Sequence, residues 1–83
     1  MQLSDDKPVT PGQGQYKYTA IVTTGPILIQ SRMKGASSFN TVTDGSIAAS
    51  EDKLISIASL EEIKVQLGAS DEFYLSIVES GLD

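Results

Sequence analysis

Ser59-Leu60-Glu61-Glu62-Ile63-Lys64-Val65-Gln66-Leu67 admits two readings, and the choice between them sets the fold. With helical spacing, Ser59 and Glu62 match a capping box, and Leu60, Ile63 and Leu67 share a face that ends at Gly68. With a period of two, Glu62, Lys64 and Gln66 interleave without a break with Ile63, Val65 and Leu67. A helix would turn Val65 to its polar side, whereas a strand sorts every residue of Glu62 to Leu67 onto a consistent face. The alternation and the β-branched content favour the strand, with the helix as its rival.

The same pattern extends outward. Phe73, Leu75 and Ile77 alternate within Glu72 to Val78, although Ser70-Asp71-Glu72-Phe73 also resembles a helix start. Upstream, Tyr16, Tyr18, Ala20 and Val22 alternate with Lys17, Thr19, Ile21 and Thr23 until Gly25-Pro26 interrupts. Ile27 to Lys34, Phe39 to Thr43 and Lys53 to Ala58 complete the set, with a loop over Gly35 to Ser38. Asp44-Gly45 predicts a tight hairpin turn. Six to seven short strands at this spacing predict an all-β domain, a small antiparallel β-sandwich or barrel. The predicted core is Tyr18, Ala20, Val22, Ile27, Ile29, Phe39, Ile63, Val65, Leu67, Phe73, Leu75 and Ile77. Ile21, Leu28, Val42, Ile55, Ile57, Tyr74 and Val78 fall outside that set and would form a contact surface if gathered on neighbouring strands.

The first fifteen residues differ in kind. Only Leu3 and Val9 are firmly apolar among Asp5-Asp6-Lys7-Pro8 and Pro11-Gly12-Gln13-Gly14-Gln15. Such a segment has little to bury against its ordering entropy. The predicted organisation is an extended N-terminal arm, 1–15, and a single domain, 16–83. The arm is either mobile or ordered along a neighbouring subunit.

Composition narrows the chemistry. The 83 residues contain no His and no Cys, with six Lys and Arg against eleven Asp and Glu. Histidine- and cysteine-based nucleophile systems and the usual zinc sites have no residues to build them. The acid excess argues against nucleic acid as a partner, because phosphate recognition needs a basic stripe. No apolar run spans a bilayer, and the N-terminus lacks the apolar stretch of a signal peptide, so neither membrane nor secretion is expected. A chain of this length buries only about 60–65% of its unfolded surface, which favours stabilisation by assembly.

Asp5-Asp6, Glu51-Asp52, Glu61-Glu62 and Asp71-Glu72 are acidic pairs, expected to be solvated loop and edge charges rather than acid–base machinery. Asp44-Gly45-Ser46 falls short of a calcium loop, and Gly12-Gln13-Gly14 lacks the strand and third glycine of a dinucleotide loop. Ser37 and Ser38 have no histidine to activate them. Arg32, Lys34 and Lys64 are expected on a solvated face. No catalytic, cofactor-binding or metal-ligating residue is predicted, and the chain is not expected to be an enzyme.

Gly25-Pro26-Ile27-Leu28-Ile29-Gln30-Ser31 through Phe39-Asn40-Thr41-Val42-Thr43-Asp44-Gly45-Ser46, followed by Glu62 to Leu67 and Phe73 to Val78, resembles the strand pattern of small virion proteins of tailed bacteriophages. The resemblance covers roughly residues 16–80 and leaves the arm uncovered; Phe39 stands where that pattern often has Trp. It implies a β-sandwich that decorates or cements a capsid, acting as a trimer or as monomers spread over the shell. Its partners would be the viral capsid protein and copies of itself, and its location the virion, after synthesis in the host cytoplasm. Leu3, Val9, Tyr74 and Val78 are the expected contact residues. A tail or fibre component of the same build, or a soluble peptide- or carbohydrate-binding module, is the alternative.

Overall fold

The computed structural model describes residues 1–80. Strands run β1 Gln2–Leu3, β2 Gly14–Ile21, β3 Ile27–Met33, β4 Asn40–Ile47, β5 Glu51–Ile57, β6 Glu61–Gln66 and β7 Glu72–Ser80. They form two antiparallel sheets, ordered β1-β7-β2-β5 and β4-β3-β6, with no helix among the described residues. The sequence expectation of an all-β sandwich is met. The decisive segment is strand β6, with Ile63 and Val65 buried. Where the helix start was the rival reading, the chain instead makes a corner: Leu60 has φ 64°, the Glu61 N–H donates to the Ala58 carbonyl (3.2 Å), and the Ala58 N–H donates to Glu61 Oε1 (2.8 Å). That corner carries the chain from β5 in one sheet to β6 in the other.

The core lies between the sheets. Tyr18, Ala20, Ile27, Ile29, Ile63, Val65, Phe73 and Leu75 are buried as expected, with Tyr18 and Phe73 stacked at 5.3 Å. Val22 and Leu67 pack at its margin. Ile77 does not belong: the β2–β7 register slips between Gln15 and Tyr16, β7 overshoots the core, and Ile77 is 59% exposed. Phe39 is also outside, half-buried with its ring against two cations. Ile57, set apart from the core in the sequence reading, is buried, and Ile55 is half-buried beside it. Both share β5's inner face with Lys53, which pairs with the buried Tyr18.

Asp44-Gly45 makes no hairpin turn. β4 passes through it, and opposite Ile29 of β3 the residues 42–45 bulge out of register. Asp44 takes φ 57°, the same left-handed demand that makes Asp-Gly a turn signal elsewhere. Past the bulge pairing with β3 resumes in a shifted register and delivers Ile47 to the core opposite Ile27.

The N-terminal segment is extended, but its path follows its own domain. β1 pairs with the edge of β7 at Gln2↔Tyr74 and Leu3↔Phe73. The chain then crosses to the other sheet and lies along β6, with bridges Asp5↔Val65 and Val9↔Ile63. Leu3 is 1% exposed. It therefore plugs the core and is not an outward contact; Val9 likewise packs against the core from its margin. β2 starts at Gly14, so the boundary drawn after residue 15 shifts by two residues, and residues 81–83 of the predicted domain lie outside the described residues.

Burying Leu3 contributes about 2–3 kcal/mol and part of Val9 about 1 kcal/mol. Hydrogen bonds join the strap to the body at Met1–Leu75 (both directions), Asp6–Val65, Val9–Ile63 (both directions), Asp5–Leu67 and Asp6–Lys64. At about 1 kcal/mol each they bring the gain to roughly 10 kcal/mol. These contacts offset the backbone entropy lost in ordering nine residues, so the strap stays on the body.

Candidate interaction surfaces

The two flanks of the sandwich differ. On one, β7 and β6 are sheathed by the N-terminal strap. On the other, β5 and β4 pair with only β2 and β3 respectively among the described residues. Between them opens a cleft of about 170 Å³ lined by residues of both strands, with Tyr18 and Ile29 at its floor. Lys53 sits on the inner face of β5 and reaches the mouth, 3.8 Å from Glu51. Glu51 accepts a 2.5 Å hydrogen bond from the Tyr18 hydroxyl, whose pKa is driven up chiefly by burial and then by that bond. An inward lysine on one edge and a bulge on the other oppose strand addition there.

The end of the sandwich where β3, β5 and β7 finish exposes Met33 (50%), Leu60 (57%), Ile77 (59%) and Val78 (58%). Met33 lies across from Glu61, and the Lys34 N–H donates to the Leu60 carbonyl (2.9 Å), so Met33 and Leu60 adjoin. Ile77 faces Tyr16 near the start of β2, and the register slip leaves Val78 without a partner in that ladder. Of the four expected contact residues, only Val78 is an exposed apolar side chain. Tyr74 is half-buried and donates its hydroxyl to Glu72, which raises the tyrosine's pKa.

The opposite end is built on Asp71. Its carboxylate accepts hydrogen bonds from the backbone N–H groups of Thr23 (2.7 Å), Thr24 (2.7 Å), Gly25 (2.9 Å) and Gly68 (3.0 Å). Those bonds, led by Thr24, hold its pKa below the ordinary aspartate value against the opposing effect of burial. Asp71 thus ties the β2–β3 connection to the β6–β7 loop. It is 7% exposed, so the expectation of a solvated charge is corrected there. Gly68 is required for the close approach, since a Cβ would stand 2.7 Å from the Thr24 Cβ.

The other acidic pairs are engaged as well. Asp5 accepts from the Leu67 N–H (2.8 Å), Asp6 meets Lys64 (2.7 Å), Asp52 meets Lys17 (3.9 Å) and Glu62 meets Arg32 (3.0 Å). Arg32 and Lys64, expected merely as solvated cations, lie 4.4 and 4.6 Å from the centroid of the Phe39 ring. Their charges are already matched by carboxylates. Among the described residues no three acidic side chains gather as a metal site would need. Among the same residues no helix is long and apolar enough to cross a membrane.

Sequence reasoning missed Asp71, Leu3 and Leu60. The Asp71 role has a faint signal, a carboxylate three residues after Gly68 in a turn. Leu3 has none beyond being apolar in a polar segment. Comparison with known proteins finds no matching family model, no matching curated protein and no matching solved structure.

Proposed function

We propose that the chain is a non-catalytic structural protein that binds a repeating protein lattice, as a decoration or cement subunit of a tailed-phage capsid. The observation that carries this reading is the apolar end formed by Met33, Leu60, Ile77 and Val78. Leu60 is the most telling member, because a bulky side chain is held outward on a left-handed backbone, a conformation that favours glycine. Such an anchor suits docking into an apolar recess of a partner, with many weak copies stabilising the assembled state by mass action. The strand resemblance supports the same assignment.

Sedimenting large particles from a lysate of the source, and quantifying the chain against the most abundant co-sedimenting protein, tests it. A simple integral ratio is expected, with Leu60→Asp abolishing sedimentation while the circular dichroism spectrum stays unchanged. A few copies per particle would move the assignment to a tail or fibre, and a wholly soluble chain would contradict it. A soluble binding module is the second reading, favoured by the cleft between β4 and β5.

A further inference from the structure

We propose that the N-terminal strap, residues 1–9, exchanges between copies of this chain, so that one copy's Leu3 fills the other's core. This is independent of the lattice assignment. It rests on how the four outer strand edges are treated. The permanently open edges carry deterrents: Lys53 on the inner face of β5 and the 42–45 bulge in β4. Beneath the strap, β6 and β7 are regular alternating strands with apolar inner faces, Ile63 and Val65 on one and Phe73 and Leu75 on the other. Edges of that kind invite a new strand as soon as they are uncovered. The segment whose pattern fits them is the strap itself: a backbone ladder with Met1 to Leu3 on β7, Leu3 in the core, then Asp6 and Val9 on β6.

The connection permits the exchange. Thr10-Pro11-Gly12-Gln13 joins the strap to β2 without strand pairing, and Gly12 adopts φ 100°. Its latch is the Tyr16 hydroxyl, within hydrogen-bond distance of the carbonyls of Pro11 (2.9 Å) and Gly12 (3.0 Å). Straightened, residues 1–13 reach about 45 Å at roughly 3.3–3.6 Å per residue. That exceeds the 37 Å long axis of the molecule, so a strap can reach a neighbour's flank. Because the strap's own contacts in the closed monomer are remade in the exchanged pair, the two forms differ at the Thr10-Pro11-Gly12-Gln13 connection, and concentration favours the pair.

The absence of native cysteine makes the test clean. Met1 and Leu75 exchange hydrogen bonds, so the next pair, Gln2↔Tyr74, is a non-hydrogen-bonded pair. Its Cα separation of about 4.5 Å lies within the reach of a disulfide. Full-length Gln2→Cys and Tyr74→Cys chains are mixed at high concentration, warmed to just below the unfolding midpoint, cooled and oxidised. A disulfide-linked heterodimer of the two variants, several-fold more abundant than either homodimer, is expected. Tyr16→Phe, which keeps the ring and removes the latch, should speed its formation. The double variant in one chain should close on itself and, once closed, stay monomeric. A heterodimer no more abundant than random pairing of the two variants gives, with the double variant closing normally, overturns the exchange. Failure of the double variant to close overturns it too, since the strap would not then lie on β7.

Discussion

The strapped flank and the open flank solve the same problem by opposite means. Both present sheet edges and a seam through which water could reach the core. On the strapped flank the chain spends its N-terminus to cover two edges and drives Leu3 into the seam. On the open flank nothing covers β4 and β5 among the described residues; a bulge and an inward lysine make the edges poor templates, and the seam remains a cleft of about 170 Å³. One flank is protected by occupancy and the other by shape and charge. The difference teaches that a segment which looks like a free arm from its composition is part of the core. It also locates where the fold is adaptable: the strap joins the body through a connection without strand pairing, and the edges beneath it carry no deterrent.

Truncating one apolar residue on each flank breaks the comparison most sharply. Leu3→Ala should destabilise by about 3 kcal/mol, roughly 12–24 °C in Tm, whereas Val42→Ala should cost about 1 kcal/mol or less, because Val42 already borders solvent. Equal losses in chemical denaturation would erase the distinction. Gly45→Ala comes next: its Cβ would stand 2.7 Å from Val42 Cγ2 and 2.8 Å from the Ile29 carbonyl, so the bulge must reshape at a cost of about 1–3 kcal/mol. A neutral effect in a thermal melt would mean that the bulge is loose and does not set the open edge.

Asp71 sharpens the comparison by binding one end of the sandwich regardless of flank. Its folded pKa lies below the unfolded value, so its contribution is complete above the unfolded pKa of about 4 and is lost as pH falls through the folded value. Asp71→Asn should therefore lower Tm at neutral pH, and the gap from the parent should narrow steadily below about pH 4. A gap independent of pH would show that the carboxylate's charge does no work. Lys53→Val has the smallest expected effect on the monomer, within about 0.5 kcal/mol, yet it should raise the tendency to associate, as light scattering at increasing concentration would reveal. Unchanged scattering would mean that Lys53 is not what keeps the β5 edge unpaired.

Most of the fold was legible because alternation is a strong signal where one face of a strand is buried. β2, β3, β6 and β7 read correctly within a few residues for that reason. β4 was cut short because Asp-Gly demands the same left-handed backbone in a bulge as in a hairpin, and only the partner strand distinguishes them. Lys53-Leu54-Ile55-Ser56-Ile57 shows mixed parity because an edge strand need not bury its whole inner face, so Ile57 was misplaced. Leu3 was illegible: two residues carry no period, and its burial depends on β7 and β6, roughly sixty to seventy positions away in the chain. The apolar end was half-legible. Val78 stood out as surplus, while Met33 and Leu60 adjoin only because of the corner at Ala58 to Glu61.

Residue-resolved amide hydrogen exchange separates a strap that belongs to the folded domain from a free arm. The Asp6 and Val9 amides donate to Val65 and Ile63, and the Ile63 and Leu67 amides donate back to Val9 and Asp5. All four are expected to exchange orders of magnitude more slowly than in an unstructured chain, with Asp6, Val9 and Leu67 opening together. Asp6 and Val9 exchanging at the rate of an unstructured chain would contradict this, and would make residues 1–9 a free arm after all.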